Sequence, residues 1–570
     1  MIKAALIDMD GVLYDSMKYH TLGWKRMMEA HGVECTRDEF YLYEGMTGPT
    51  TIDLVWQRQF GHPCDPEMRK ALYDEKTRIF KEIGGNEPMP GAMRMLRTLC
   101  DRGVRCVVVT GSGQRSLIDN IRKDYPDIFA EGMMVTALDV TKGKPDPEPY
   151  LKGLEKAGVR ADEAIVVENA PLGVRAGVAA GIATMAVCTG PIPGKNFEDE
   201  GAWGIFPSME EFADMLPLVL DLLDAESPYL LADSNTAPLV ADRLALQVPM
   251  LAAVPRCVIP AGDDHKDMDS LAKVWRMLSE QGATRRSTLF NIGGGMVTDL
   301  GGFAAATFKR GMACVNVPTS LLGMVDAATG GKTGINFDGL KNEVGAFSMP
   351  KDVVIIPSTL DTLPAAEILS GYAEMLKTAL IADGAMYEAL LDIDRFLGNP
   401  RELMPWIRRC IDIKTGVTER DPKEKGERKI LNFGHTAGHA FESLALMGGR
   451  PVGHGVAVAH GLLWELILSA ISCKEERGGS ALDTSLLYPY SELLKSHYPA
   501  LGVTCADFDS LIDVMRHDKK NPVAGRINFT LIDSPGVPRW DMYPPEEDIR
   551  AAFEIYGDLT GQVSSKTSHA

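Results

Sequence analysis

Through the first 223 residues, short apolar runs such as Ala4 to Ile7, Val104 to Val109 and Ala164 to Val167 alternate with segments patterned at helical spacing. That alternation predicts a parallel sheet wrapped by helices. Between Asp15 and about Pro90 the pattern turns mostly helical, over Tyr19 to His31 and Pro66 to Ile83, which predicts a helical cap over the carboxyl edge of the sheet. The acidic run Asp221 to Glu226 is closed by Ser227-Pro228 and followed at once by the apolar run Tyr229 to Ala232, which marks a domain boundary. Strands and helices then alternate again, and after Pro364 long helical patterns dominate. The expected units are residues 1–223 with a cap over about 15–90, an α/β unit over 228–363, a mostly helical unit over 364–560, and a disordered tail over 561–570.

A chain of 570 residues suggests three or four structural units at ~100 to 200 residues each. Its 45% hydrophobic and 24% charged residues are those of an ordinary globular chain. The net charge of −19 disfavours nucleic acid and anionic lipid as partners while leaving room for a local basic pocket. Ten cysteines without a C-x-x-C pair read as reduced thiols, and the expected compartment is the cytoplasm. The amino terminus runs straight into an acidic motif, unlike a signal peptide. The apolar stretch Gly455 to Ser472 is interrupted by His460 and Glu465, which predicts a buried helix rather than a membrane span.

Candidate chemistry begins at Asp8-Met9-Asp10-Gly11-Val12, directly after the first strand, where a spacing of two puts both carboxylates on one side of the chain. One carboxylate can attack phosphorus while the second protonates the leaving oxygen and later activates water. Three more strand ends follow the same order: Thr110 after Val107-Val108-Val109, Lys144 in Gly143-Lys144-Pro145, and Glu168-Asn169 after Ile165-Val166-Val167. Together these residues resemble the haloacid dehalogenase superfamily with a C1-type helical cap. The resemblance implies a Mg-dependent phosphatase of small metabolites: Asp8 as nucleophile, Asp10 as general acid and base, Thr110 binding the phosphoryl group, Lys144 balancing charge, and Asp8, Asp10, Glu168 and Asn169 around magnesium. Asn169 stands where relatives often carry aspartate, which removes one negative charge from that metal site. Tyr19, His20 and Trp24 look like those of β-phosphoglucomutase relatives and are expected to pack the cap. Gly48 stands where mutases of that group carry an arginine, which favours hydrolysis.

The second half opens with Leu289-Phe290-Asn291-Ile292 running into Gly293-Gly294-Gly295, a strand followed by a turn on which a pyrophosphate can approach the backbone. Asp299, Gly301-Gly302-Phe303, Lys309-Arg310-Gly311, Pro318-Thr319-Ser320 and Gly330-Gly331-Lys332-Thr333 follow in dense succession. Glu374 lies three residues before Lys377 on one helical face, His435 and His439 share another, and His454 follows closely. A carboxylate with two imidazoles and an open position is a catalytic zinc set. From about Tyr229 to at least Asp518-Lys519-Lys520 the chain resembles the 3-dehydroquinate synthase family.

That resemblance implies a dehydroquinate synthase-like nucleotide-binding subdomain followed by a helical metal-binding one. It implies zinc (or cobalt) on Glu374, His435 and His454, and catalysis by Asp326, Lys332, Lys377, Lys414, Glu424, Arg428, Asn432 and His439. Substrate phosphate and carboxylate would meet Arg310, Lys341, Asn342, Lys519 and Lys520. NAD would meet Asp233, Asn235, Asp263, Lys266, Gly294, Gly295, Asp299, Thr319, Ser320 and Thr362. The implied reaction is conversion of 3-deoxy-arabino-heptulosonate 7-phosphate to 3-dehydroquinate in the shikimate route, by a homodimer formed through this half. The alternative is another sugar-phosphate cyclase, acting on sedoheptulose 7-phosphate or an amino-sugar analogue, with the first unit a phosphatase of the same pathway or a non-catalytic partner. Departures are Asp263 for glutamate, Ser320 for threonine, Ala366 for arginine, and Val456 where relatives usually carry a glutamate after His-Gly.

Overall fold

The computed structural model describes residues 1–85, 87–112, 115–472, 482–517, 521 and 526–561. The chain divides into two compact units, Met1–Glu226 with Ala241–Val254, and Ser227–Val240 with Pro255–Ala570. The tail beyond residue 561 lies outside the described residues.

In the first unit the strands β1 (Ala4–Ile7), β2 (Arg105–Val109), β3 (Met134–Val135), β4 (Ala164–Glu168), β5 (Ala183–Val187) and β6 (Gly204–Phe206) form one sheet in the order β3-β2-β1-β4-β5-β6. All pairs are parallel. Helices cover both faces, so β1 and β4 are buried along their whole length, which is why they read as continuous apolar runs. β1 has β2 on one side and β4 on the other, and the crevice at this switch of direction lies at the carboxyl ends of the three strands. The cap comprises helices Met17–Ala30, Arg37–Leu42, Gly48–Phe60 and Pro66–Ile83. It has its own small core of Met27, Met28, Phe40, Ile52, Val55, Trp56 and Leu72. The last three of its helices start on side-chain caps from Thr36, Thr47 and Asp65, the residue types that satisfy free N–H groups at a helix start.

In the second unit β7 (Pro228–Asp233), β8 (Arg256–Ile259), β9 (Thr288–Gly293), β10 (Ala313–Pro318) and β13 (Asp352–Val353) form a parallel sheet in the order β13-β10-β9-β7-β8. Its direction switches between β7 and β9. β11 (Lys332–Phe337) and β12 (Leu340–Phe347) make an antiparallel hairpin. Beyond it, among the described residues, seven longer helices, from Ala365–Ala382 to Glu546–Thr560, enclose one large apolar core. This region also contains a hairpin absent from the helical expectation, β14 (Phe529–Ser534) with β15 (Val537–Met542). Phe529, Leu531 and Ile532 of β14 are buried in the helical core, so tertiary packing rather than strand periodicity decides its state.

Helix His454–Ser472 runs through that core. By length and composition it could cross a membrane, and 83% of its apolar window is buried inside the protein. Its two polar interruptions are both engaged. Glu465 accepts the backbone N–H groups of Gly434 (2.6 Å) and Ala437 (3.1 Å), capping the start of helix His435–Met447, whose own N-cap residue has no side chain to do so. His460 lies 2.9 Å from the Pro499 carbonyl through Nε2 and 2.6 Å from the Tyr556 hydroxyl through Nδ1. A carbonyl only accepts, so Nε2 carries the proton and Tyr556 donates to Nδ1.

Burial pushes the His460 pKa down to about 4 from its ordinary 6.5. Between these values the unfolded chain takes up a proton that the native chain refuses, so native stability falls as pH drops through that window. At ~1.36 kcal/mol per unit the loss approaches roughly 3 kcal/mol. Denaturant unfolding of the helical core at pH 7 and at pH 4.5 is expected to show this loss in the wild type and a smaller one in His460→Gln. Equal pH dependence in the two proteins would contradict it.

Candidate active sites

The first unit gathers its predicted residues at the carboxyl ends of β1, β2 and β4. Asp8 and Asp10 follow β1, Thr110 follows β2 and Glu168 ends β4. Buried Lys144 donates to Asp8 Oδ1 (2.5 Å), Glu168 Oε1 (2.5 Å) and the Val109 carbonyl (3.2 Å). Tyr150 also donates to Glu168 Oε1 (2.6 Å), while Glu168 Oε2 accepts the amides of Asn169 and Ala170. Both Glu168 oxygens are therefore engaged within the protein. Burial is the main influence on Asp8 and lifts its carboxyl to about 8 against the pull of Lys144, with Glu168 pushing the same way. Burial there disfavours the charged carboxylate, a cost that a bound cation would offset.

Asp10 accepts Ser16 Oγ at 2.6 Å and lies 3.2 Å from His20 Nε2. Burial alone would raise its pKa, but His20, Ser16 and Lys76 together hold it below the usual value. His20 stacks on Phe80 at 4.0 Å, the expected packing role, and Trp24 stacks on Phe40 at 5.8 Å. The structure adds that His20 faces Asp10 and that its Nδ1 is 2.7 Å from Lys76 Nζ. Burial lowers Lys76 to about 8 against the pull of Asp10 and Glu44. Lys76 was not legible in the sequence, because its partner lies 56 positions away on another cap helix. Asp8, Asp10, His20, Glu44, Lys76 and Thr110 line one cavity of about 90 Å³.

In the second unit Glu374 comes from the middle of helix Ala365–Ala382, while His435 and His454 are the first residues of helices His435–Met447 and His454–Ser472. Their ligand atoms lie within 4.8 Å of one another, the one such group of His, Cys, Asp or Glu among the described residues. Gly455 makes this possible, since a Cβ there would sit 2.3 Å from Ser370 Cα, one turn before Glu374. The imidazole Nε2 atoms of His435 and His454 are 3.4 and 3.5 Å from Glu374 Oε1, which has no well-formed hydrogen bond, while Glu374 Oε2 meets Lys377. His435 Nδ1 faces the Phe433 carbonyl at 3.2 Å, which places the proton on Nδ1 and frees Nε2 to coordinate. Burial works against a charged His454, but Glu374 and Glu442 raise it to about 9, so the site attracts positive charge. These features fit a tetrahedral cation with an open position.

His439 packs its ring 5.6 Å from His435 and 6.1 Å from His454. Buried Lys377 contacts Glu374 and lies 3.4 Å from Asp326, which Lys414 approaches to 2.8 Å. Those two lysines hold Asp326 below its ordinary range despite its burial. A cavity of about 390 Å³ is lined by Asp299, Asp326, Lys332, Asn342, Lys414 and Arg428 among others. A second, of about 440 Å³, shares Lys332 and adds Glu424 and Asn432. Lys332 contacts Glu424, whose other oxygen accepts from Asn432 at 2.7 Å.

Of the residues expected at a nucleotide, those that follow β7 and β9 lie at the switch of the second sheet. Gly294 and Gly295 start helix Gly295–Thr307, and a Cβ on Gly295 would meet Ala327 at 3.0 Å. Asp233 ends β7 and accepts the amides of Asn235 and Thr236, both at 2.8 Å. Lys266 bridges Asp299 (2.6 Å) and Asn342 (2.5 Å), and Lys341 pairs with Glu442 (2.7 Å) and Asp263 (3.4 Å). Thr319 follows β10, with its amide on the Gly293 carbonyl, and Ser320 Oγ accepts the Gly323 amide. Thr362 bonds within its own turn, Pro357–Thr362, and Arg310 stands exposed in the turn Phe308–Arg310. Lys519 and Lys520 lie outside the described residues.

Glu442 is the acidic residue that sequence reasoning passed over here. Its Oε2 is 3.6 Å from His454 Nδ1, a carboxylate behind a ligand histidine in a chain whose Val456 supplies none. Burial opposes its charge, but His454 and Lys341 hold it down to about 2. The signal was present, because positions 435, 439 and 442 fall on one helical stripe.

Two doubly wound units, one with paired aspartates at its switch point and one with a nucleotide-type glycine turn beside a Glu-His-His cluster, define a fusion of two catalytic α/β architectures. Family models agree. The model described as haloacid dehalogenase-like hydrolase matches residues 5–187, that for 3-dehydroquinate synthase N-terminal matches 256–370, and its C-terminal counterpart matches 371–521. A curated 3-dehydroquinate synthase from Parabacteroides distasonis is 44% identical over 346 residues, 60% of this chain and 94% of that protein. A solved 2-epi-5-epi-valiolone synthase from Streptomyces hygroscopicus subsp. jinggangensis, with NAD+ and Zn2+ bound, is 25% identical with a TM-score of 0.51, covering 60% of this chain and 94% of that one. A solved protein from Bacteroides vulgatus, whose description gives β-phosphoglucomutase as its candidate activity, is 45% identical over 39% of this chain and 90% of its own, with a TM-score of 0.38. The chain belongs to the 3-dehydroquinate synthase family and carries a haloacid dehalogenase-like hydrolase domain ahead of the cyclase.

Proposed function

We propose that the cyclase half converts 3-deoxy-arabino-heptulosonate 7-phosphate to 3-dehydroquinate and phosphate, and that the first unit is a Mg-dependent phosphatase of small phosphorylated metabolites, both in the cytoplasm. Supporting this reading above all is the junction of the polar cavity with the Glu-His-His cluster. Lys377 links Glu374 to Asp326, and the cavity beyond Asp326 presents Lys332, Lys414 and Arg428 to an anion.

Glu374, His435 and His454 would hold zinc or cobalt, and the glycine turn with Asp233, Asp299 and Lys266 would hold NAD. When bound, NAD would supply a reversible acceptor for the hydride on C5, and the cation would polarise the hydroxyl on that carbon. The chain's own residues do the rest. Lys377, clamped between Glu374 and Asp326, is held protonated, because those carboxylates outweigh the burial that opposes its charge. Burial lowers Lys414, with Asp326 pulling it back up. It is the lysine better suited to passing a proton. Arg428, fixed by the Gly330 and Pro422 carbonyls at 3.0 and 2.9 Å, offers a stationary positive group to a carboxylate or phosphate. Arg428, Asn432 and His439 favour the heptulosonate over other heptulose phosphates. The cyclase half works as a homodimer, with Arg310 reaching a phosphate of the other copy.

The test is to supply the full chain with NAD, Zn2+ and either 3-deoxy-arabino-heptulosonate 7-phosphate or sedoheptulose 7-phosphate, and to identify products by mass. Mass is the readout because phosphate alone could come from either unit. Formation of 3-dehydroquinate from the first substrate is expected. A cyclic product from sedoheptulose 7-phosphate alone would reassign the cyclase.

A further inference from the structure

We propose that Glu44, carried on the cap, supplies to the phosphoryl site of the first unit the carboxylate that Asn169 lacks, so that a divalent cation there is held between core and cap. The proposal rests on reading this unit as a metal-dependent phosphohydrolase.

Asn169 Nδ2 donates to Glu44 Oε2 at 3.2 Å, which ties the end of β4 to the loop between the second and third cap helices. The two remaining oxygens of this pair, Asn169 Oδ1 and Glu44 Oε1, are both buried without a hydrogen-bond partner. Buried polar atoms are nearly always partnered, so two unpartnered oxygens on one contacting pair call for a donor or a cation beside them. Asp8 and Asp10 line the same cavity as Glu44. Glu168 cannot take this part, because Lys144, Tyr150 and two amides already occupy it. Hard divalent cations take oxygen ligands, and Glu44 Oε1 and Asn169 Oδ1 are the unpartnered ones. A cation would draw the Asp8, Asp10 and Glu44 carboxylates closer than they stand, since they do not gather within the 4.8 Å that encloses the Glu-His-His group.

The cap loop is seated on the core rather than passing over it. Gly45, at φ +89, lies so close to Lys144 that a Cβ would be 3.1 Å from its side chain. Cβ atoms on Gly111 and Gly143 would lie 3.4 and 3.7 Å from the Gly45 carbonyl. Gly11, at φ +83, lets the turn after Asp10 come against Asn169, where a Cβ would be 1.9 Å from Nδ2. With the charge on the cap instead of the core, cation binding and cap closure favour one another, since the cation binds the closed arrangement better.

Mn2+ serves as the probe, titrated into the full chain with Zn2+ already supplied and followed by the electron paramagnetic resonance of free Mn2+. Wild type is expected to hold a Mn2+ that Asp8→Asn loses. Glu44→Gln should weaken it at least about tenfold, the range seen when a carboxylate partner of a metal site is removed. Asn169→Asp should restore most of that affinity in the Glu44→Gln background and gain much less in the wild type, a coupling that a folding defect would not produce. If Glu44→Gln binds like wild type while Asp8→Asn does not, or if Asn169→Asp gains equally in both backgrounds, the Glu44 assignment fails and the phosphohydrolase reading stands. If Asp8→Asn binds Mn2+ as wild type does, or wild type holds none, both fail.

Discussion

His435→Ala in the full chain is expected to abolish formation of the cyclic product, with kcat/KM falling roughly 10³-fold, about 4 kcal/mol of transition-state stabilisation. His435 is the ligand whose orientation is most fully fixed, by the Phe433 carbonyl on Nδ1 and by Glu465 capping the helix it begins. Removing its ring leaves Glu374 and His454 one ligand short of the three-residue set. Metal analysis of the dialysed variant should show loss of the bound ion, while hydrolysis by the first unit is unchanged. Retention of both metal and cyclisation would remove His435 from the site.

Asp8→Asn is the complementary case and should reduce hydrolysis of phosphorylated substrates on the order of 10⁵-fold or more, as loss of a covalent nucleophile does elsewhere. The substitution is close to isosteric. Lys144 keeps Glu168 and the Val109 carbonyl as partners, so no buried ammonium is stranded and the unit should fold. Cyclisation in the other unit should proceed at the wild-type rate. Scanning a panel of small phosphate esters against wild type and variant tests this, and hydrolysis that survives in Asp8→Asn would mean that Asp8 is not the nucleophile.

Much of this arrangement was legible in the sequence because strand ends announce themselves. Asp8, Thr110 and Glu168 each follow an apolar run that both faces of a parallel sheet require, so their meeting at one edge followed from the alternation of elements. The turn at Gly293 to Gly295 was legible for the same reason. The hairpin β14–β15 was not, because its buried residues face helices distant in sequence and carry no long alternation of their own.

The sequence by itself determined which residue types stand at the ends of strands and the starts of helices, and hence the two doubly wound units and the Glu-His-His set. Local rules of period, capping and turn chemistry act over a few residues, and these features need nothing more. Only the tertiary structure decided which carboxylate partners which cation or ligand. Glu442 behind His454, Glu465 at the amide groups of Gly434 and Ala437, Lys76 on His20 and Glu44 on Asn169 span separations from 12 to 125 positions. Such pairs depend on how helices pack and where glycines let backbones touch, as Gly455 does against Ser370 and Gly11 against Asn169. Electrostatics in a buried site is set by neighbours in space, and the sequence orders neighbours only along the chain.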